Sequence, residues 1–308
     1  MFKYILKRIG AGALSLFVLV TITFFLLHII PGGPFSPAEN RNVPTKILEK
    51  ISDQYGLNDP IPVQYIRYLN NLAHGDLGTS FKKQDTTVNE LIAQGFPVSA
   101  KVGIWGVLIS LAVGIPLGVV AAVKRGRLPD GLAMVFATIG VSVPSFVICV
   151  LMMYFFCEKW RIFPSYGLTS WKHYVLPVFC MAFSQIAYIT RLMRSSMLET
   201  MRQDYIRTER AKGVPEFTVI SKYAMKNSLL PVITYVGPMV AALLTGTFII
   251  EKLFSIPGLG RYFVTAINDR DYSVTLGLTI FVGGLIIIVN IIVDIMYAVI
   301  DPRVKIDK

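Results

Sequence analysis

The sequence is poor in charged residues. Asp, Glu, Lys and Arg make up 16% of its 308 residues, whereas hydrophobic residues make up 54% and the mean hydropathy is +0.58. Soluble domains carry about 25% charged and about 45–50% apolar residues, so this composition excludes an ordinary cytosolic enzyme. Long blocks also lack charge for about 20 positions, the length that a helix needs to cross about 30 Å of hydrocarbon. The chain is therefore predicted to be a polytopic membrane protein.

Cysteine is scarce and catalytic motifs are missing. The three cysteines, Cys149, Cys157 and Cys180, lie in or beside apolar blocks, and neither their number nor their spacing indicates a disulfide framework or a metal site. No Gly-Lys pair occurs in the sequence, so a phosphate-binding P-loop is excluded, and no HExxH motif or nucleophile elbow is present. We therefore predict that the chain is not an enzyme, with no catalytic residue, metal or cofactor of its own.

Six apolar blocks predict an all-α fold with six transmembrane helices in one domain over residues 1–308. The predicted spans cover residues 9–30, 98–123, 131–157, 174–190, 229–250 and 274–300. Between spans one and two, residues 31–97 predict a small external subdomain, because apolar residues recur every three or four positions in two stretches, 47–55 and 61–72.

The distribution of Lys and Arg predicts the orientation. The two termini and the two loops on their side carry 17 of these residues, against six in the shorter loops on the other side. Cytoplasmic segments carry this excess, so both termini are predicted to be cytoplasmic. The net charge of +11 is thereby explained by membrane topology, and nucleic acid is not a predicted partner.

The most informative segment is the cytoplasmic loop at residues 191–228, between spans four and five. Its first half continues span four as an amphipathic helix. Gly213 is suited to the left-handed residue that ends a helix, Pro215 to the first position of a new helix, and Glu216 to the positive end of that helix's dipole. Phe217, Ile220, Tyr223 and Ala224 would share one face of the second helix. The pattern predicts a helix, a tight turn and a short helix.

Motifs along nearly the whole chain resemble those of one family, the membrane permease subunits of oligopeptide and dipeptide ABC importers. They are Ile30-Pro31-Gly32, Gly75-Asp76-Leu77-Gly78, Ser142-Val143-Pro144-Ser145-Phe146, Arg210-Ala211-Lys212-Gly213 with Leu229-Leu230-Pro231, Pro257-Gly258-Leu259-Gly260, Arg270-Asp271-Tyr272, and Tyr297-Ala298-Val299-Ile300-Asp301-Pro302-Arg303.

The resemblance implies a type I ABC importer permease in the cell membrane that moves short peptides inward. It further implies four kinds of contact: a second, related permease, two cytoplasmic ATPases that bind ATP and Mg²⁺, an extracytoplasmic peptide-binding protein, and membrane lipid. The 191–228 loop would dock on an ATPase. The residues implied in this coupling are Arg207, Glu209, Arg210, Ala211, Lys212, Gly213, Pro215, Glu216, Phe217 and Ile220.

Two further sets of residues are candidates for a role in transport. Polar residues within the spans are candidates for lining the translocation path, although ordinary interhelical hydrogen bonds explain them equally well: Thr138, Ser142, Gln185, Thr234, Tyr235 and Thr245. The external loop between spans five and six is a candidate gate or contact for the binding protein, through Pro257, Gly258, Leu259 and Gly260.

Alternative functions remain open at the level of the sequence. Importers of nickel or glutathione have related permeases. An ion-coupled secondary carrier would need charges inside the membrane, and Asp294 is the one acid within a predicted span, where a structural hydrogen bond and an ion site are both compatible with it. A receptor that senses peptides without moving them is a third possibility.

Overall fold

The computed structural model describes residues 2–29, 52–53, 55–83, 85–245 and 248–300, with the backbone alone for residues 2–5 and 294–300. The stretch Ile30-Pro31-Gly32, most of the predicted helix at 47–55, the side chain of Asp294 and the tail beyond residue 300 lie outside this description. Within the described residues the fold is helical, with one isolated β-bridge between Thr79 and Thr87.

The membrane part contains long helices in the order that the sequence predicts. The helices before the 191–228 loop are α1 (Phe2–Ile29), α2 (Ile61–Ala73), α3 (Val88–Val123), α4 (Leu128–Ser142), α5 (Ser145–Met152, continued by a π-helix at Met153–Lys159) and α6 (Lys172–Thr200). The loop holds α7 (Asp204–Ala211), α8 (Glu216–Thr218), a π-helix at Val219–Ala224 and α9 (Met225–Ser228). The last helices are α10 (Leu230–Leu244), α11 (Phe248–Leu253), α12 (Leu259–Asn268) and α13 (Tyr272–Ile300).

Five of these segments are long and apolar enough to cross a membrane, and the pair α4 and α5 makes a sixth if it is counted as one bent span. The all-α prediction with six spans is confirmed on that count. The two halves of the third span meet at 106°. Pro144 explains the break, because proline has no backbone N–H to continue the helix and biases the preceding residue, Val143, toward its extended conformation (ψ 126°).

The fourth predicted span, residues 174–190, lies within one long helix. Helix α6 runs unbroken from Lys172 to Thr200, in line with the predicted helical continuation of span four into the 191–228 loop. It lies at the centre of the bundle, where Ile189, Met193 and Met197 are fully buried. A Cβ placed on Gly114 of α3 would lie 2.8 Å from the Ile189 side chain. Small residues therefore allow α3 and α6 to pack closely, as in other membrane helix pairs.

The segment between spans one and two is anchored to the spans by polar contacts. Helix α2 lies beside the C-terminal half of α1, where the hydroxyls of Thr21 and Tyr65 are 2.7 Å apart. The Gly75-Asp76-Leu77-Gly78 motif and the Arg270-Asp271-Tyr272 motif, which are distant in sequence, meet nearby. The Ser80 hydroxyl, just after the first motif, donates a hydrogen bond to the buried carboxylate of Asp271, just before α13. The loop between spans one and two is thus held by span six.

Candidate functional site

The turn of the 191–228 loop is a helix-ending motif built around Gly213. Helix α7 ends at Ala211, and the N–H groups of Gly213 and Val214 donate to the carbonyls of Arg210 and Glu209, at 3.0 and 3.3 Å. This pair of bonds is the Schellman arrangement, which requires a left-handed residue. Gly213 adopts φ +80°, as predicted, and a Cβ there would meet nothing within 4 Å. The glycine is needed for its backbone conformation and not for space.

Ion pairs close the turn from outside. The Arg210 guanidinium donates two hydrogen bonds to the Glu216 carboxylate, at 2.6 and 3.1 Å, and this pairing lowers the pKa of Glu216 below its usual range. The Lys212 ammonium donates to Glu209 at 2.8 Å. Pro215 lies one position before the new helix, in the cap position, and not inside its first turn as expected.

The loop is packed firmly onto the spans. Ile206 of α7, together with Val219 and Ala224 of the π-helix, is fully buried in the main core that also contains Met193 and Met197. The Asn227 amide donates to the Tyr205 hydroxyl at 2.7 Å and joins the two arms of the loop. The loop is therefore fixed to α6 and α10, so that a force on it would reach both helices.

The residues predicted to share one face of the second helix of the loop differ in their exposure to solvent. Ala224 is buried and Ile220 is half-buried, whereas the Phe217 side chain is 81% exposed. This difference in exposure follows from the π-helix at Val219–Ala224. Its wider turn changes the side on which the residues after Thr218 lie, compared with an α-helix. Arg207, Ala211, Lys212, Gly213 and Pro215 are exposed around the same turn.

Three of the six candidate path residues make side-chain hydrogen bonds between helices. The Tyr235 hydroxyl of α10 donates to the Gln185 side chain of α6 at 2.6 Å, and its ring lies 4.2 Å from that of Tyr188. One turn along α6, the Arg191 guanidinium donates to the Thr138 hydroxyl of α4 at 3.3 Å. Sequence reasoning missed Tyr188 and Arg191 as candidates, although they are three residues apart and therefore neighbours on the surface of α6.

The other three path candidates are placed differently. Ser142 and Thr234 are exposed on α4 and α10, and the Thr234 hydroxyl donates to the Leu230 carbonyl of its own helix at 3.0 Å. Thr245 is 6% exposed and donates to the Ala242 carbonyl at 3.1 Å. Its hydroxyl therefore serves a local hydrogen bond inside the protein.

The candidate gate is organised by a carboxylate that sequence reasoning missed. Glu251, at the end of the fifth span, is 1% exposed; it accepts hydrogen bonds from the Ser99 hydroxyl at 2.7 Å and from the Gly260 N–H at 2.8 Å. Gly258, Leu259 and Gly260 are buried around it, and of the four gate candidates Pro257 alone is exposed. A Cβ on Gly258 would lie 2.3 Å from the Glu251 carboxylate, which explains the glycine.

A second missed carboxylate lies at the end of the bundle that carries the 191–228 loop. Asp130, 5% exposed at the start of α4, accepts two hydrogen bonds from the Arg194 guanidinium, at 2.5 and 2.8 Å, and one from the Gly126 N–H at 2.9 Å. It ties the loop between spans two and three to α6. Within the described part of the chain, no group of three or more His, Cys, Asp or Glu side chains is placed to hold a metal ion.

Comparison with known proteins gives full-length matches. The chain is 43% identical over 308 residues to the dipeptide transport system permease protein DppB of Bacillus subtilis, covering 100% of this chain and 99% of that protein. It is 43% identical over 307 residues to the oligopeptide transport system permease protein OppB of Salmonella typhimurium, covering 99% of this chain and 100% of that protein.

A solved structure and two family models complete the comparison. The structure is an inward-facing MetNI methionine ABC transporter, which matches with a TM-score of 0.56 at 17% sequence identity. The match covers 68% of this chain and 96% of that chain, and it supports the fold. The N-terminal model of binding-protein-dependent transport system membrane components matches residues 1–103, and the model of the inner membrane component itself matches residues 114–306. The chain therefore belongs to the binding-protein-dependent transport system inner membrane component family, as a multi-pass permease of the oligopeptide and dipeptide ABC type.

Proposed function

We propose that the chain is one permease subunit of an ATP-driven importer of short peptides, coupled to separate ATPases through the 191–228 loop. The names of its full-length relatives support a peptide substrate. The family description, a binding-protein-dependent transport system, supports an extracytoplasmic binding protein as a partner. The assembly that we propose further contains a second, related permease and two cytoplasmic ATPases that carry ATP and Mg²⁺. The excess of Lys and Arg supports cytoplasmic termini, which place the loop on the ATPase side.

The observation that carries the proposal is the exposure of Phe217 on a loop that is otherwise firmly anchored. A side chain of this size gains free energy when it is buried, and Phe217 lies in a loop outside the predicted spans, where lipid would not cover it. Arg210 and Glu216 hold the turn closed, while Ile206 and Val219 fix it to the bundle. An ATPase that grips Phe217 would therefore move α6 and α10 together.

The polar side chains of Thr138, Gln185 and Tyr235 support a translocation path between α4, α6 and α10. Exposed polar groups within a span are unfavourable against lipid, because hydrocarbon provides no hydrogen-bond partners. Thr138, Gln185 and Tyr235 would therefore face water, peptide or the second permease. On the external side, hydrogen bonds of Ser99 and Glu251 join α3 to the loop that leads into α12. Because Gly258, Leu259 and Gly260 are buried in these contacts, a gating role suits them better than direct contact with the binding protein.

The test is the variant Phe217→Asp, assayed for retention of the ATPases during purification of the complex and for peptide uptake into proteoliposomes. Loss of the apolar contact is expected to reduce both by about tenfold. Leu128→Asp is the matched control, since Leu128 is 76% exposed at the other cytoplasmic loop. Normal retention and uptake with Phe217→Asp would contradict the proposed coupling. Uptake by the chain alone, driven by a proton gradient, would contradict an ATP-driven importer.

A further inference from the structure

One face of the second half of α6 is polar. Ser184, Tyr188, Arg191 and Ser195 follow one another at intervals of four, three and four residues, which places them on the same side of the helix. The residues that pack against α3, such as Ile189 and Met193, lie on the opposite side and are fully buried.

Two helices flank this polar face. Helix α4 approaches on one side, where a Cβ on Gly140 would lie 2.4 Å from the Ala187 side chain. Helix α10 approaches on the other, through the contacts of Tyr235 with Gln185 and Tyr188. The polar face thus lies between α4 and α10, on the surface proposed for the path.

Arg191 carries the positive charge of this face and has few partners. It is exposed, and its contact with Thr138, at 3.3 Å, is long. Among the described residues it pairs with no carboxylate, whereas Arg194, one turn closer to the cytoplasm, is paired with Asp130 through two hydrogen bonds. A guanidinium has five N–H donors, so Arg191 retains most of its donors for a ligand.

The neighbouring groups favour an anionic ligand. The described acids of α4 and α6 are Asp130, which is occupied by Arg194, and Glu199, which lies two turns further toward the cytoplasm; α10 has none. The Tyr188 ring is 40% exposed beside Arg191 and can stack on a planar group. A planar carboxylate matches the fork of a guanidinium with two parallel hydrogen bonds.

We propose that Arg191 binds the C-terminal carboxylate of the peptide as it passes along this face. The inference rests on the proposed function. It fits a transporter of many sequences, since every linear peptide has this carboxylate whatever its side chains. Tyr188 and Gln185 would contact the adjoining peptide backbone, which every such substrate also shares.

The test compares a labelled tripeptide with its C-terminal amide in proteoliposomes that contain the full complex, using one preparation of binding protein loaded with each peptide. Uptake is normalised to the amount of assembled complex. Arg191→Gln is expected to lower the ratio of acid to amide uptake about tenfold relative to wild type. Arg191→Lys retains the charge and is expected to keep at least half of the ratio. Arg127→Gln, which removes an exposed cytoplasmic cation elsewhere, is expected to leave it unchanged.

A second measurement excludes the contribution of the binding protein, which could itself prefer the acid or the amide. Saturation-transfer NMR on the detergent-solubilised complex without binding protein is expected to detect the acid more strongly than the amide, and this difference is expected to vanish with Arg191→Gln. An equal loss of acid and amide uptake would overturn the inference and indicate that Arg191 pairs with an acid of the second permease. If the wild-type complex moves neither peptide, the proposed function fails as well.

Discussion

The hydrogen bonds around Glu251 make a quantitative prediction for Ser99→Ala. Ser99 is fully buried on α3, and its hydroxyl makes two bonds: it donates to the Glu251 carboxylate at 2.7 Å and accepts from the Leu259 N–H at 2.9 Å. Alanine removes both bonds and creates no room for a replacement partner. A carboxylate and a backbone N–H then remain buried, each with one bond fewer.

The magnitude follows from the two groups. A hydrogen bond to a charged group contributes about 1.5–3 kcal/mol, and a buried unpaired N–H costs about 1–3 kcal/mol. Ser99→Ala is therefore expected to reduce the free energy of unfolding by about 3–5 kcal/mol. At about 2–4 °C for each kcal/mol, the Tm of the purified protein would fall by about 10 °C.

The control is Ser110→Ala on the same helix. Ser110 is also fully buried, but its hydroxyl makes a single bond, to the Gly106 carbonyl one turn earlier, at 2.7 Å. That carbonyl still accepts its helical bond in the variant, so a loss of about 1 kcal/mol is expected. Thermal unfolding of the two variants, followed by tryptophan fluorescence in detergent, measures the difference. Equal shifts in Tm would refute the view that Ser99 and Glu251 join α3 to the loop between spans five and six.

Two further changes test the side of the bundle that is predicted to be cytoplasmic. Gly213→Ala forces φ +80° on alanine, so it is expected to lower the free energy of unfolding by about 1–2 kcal/mol and to weaken retention of the ATPases on purification. The control is Gly131→Ala, which also has open space but lies in a helix and is expected to be neutral or stabilising. Arg194→Met leaves the Asp130 carboxylate buried without its cation and is expected to lower the free energy of unfolding by about 3–5 kcal/mol, measured by thermal unfolding. Adding Asp130→Asn removes the buried charge and is expected to recover part of that loss. A double variant that is no more stable than Arg194→Met alone would argue against the ion pair.

Local features of the loop were predictable because they depend on a few neighbouring residues. The left-handed conformation of Gly213 and the new helix after Pro215 follow from backbone preferences that act over three or four positions. The exposure of Phe217 was not predictable, since it depends on a π-helix in the next turn. Nothing in the spacing of apolar residues distinguishes that turn from an ordinary α-helix.

The sequence by itself determined the helical class, the number of apolar blocks and the order of loops, because a bilayer admits only long apolar helices whose backbone groups are satisfied within the segment. It also determined the family, through motifs spread over the whole chain. The tertiary structure alone decided which distant residues meet: Ser99 with Glu251, Asp130 with Arg194, and Thr138 with Arg191. The physical reason is that each pair joins helices far apart in sequence, and a hydrogen bond across two helices leaves no periodic pattern in either one.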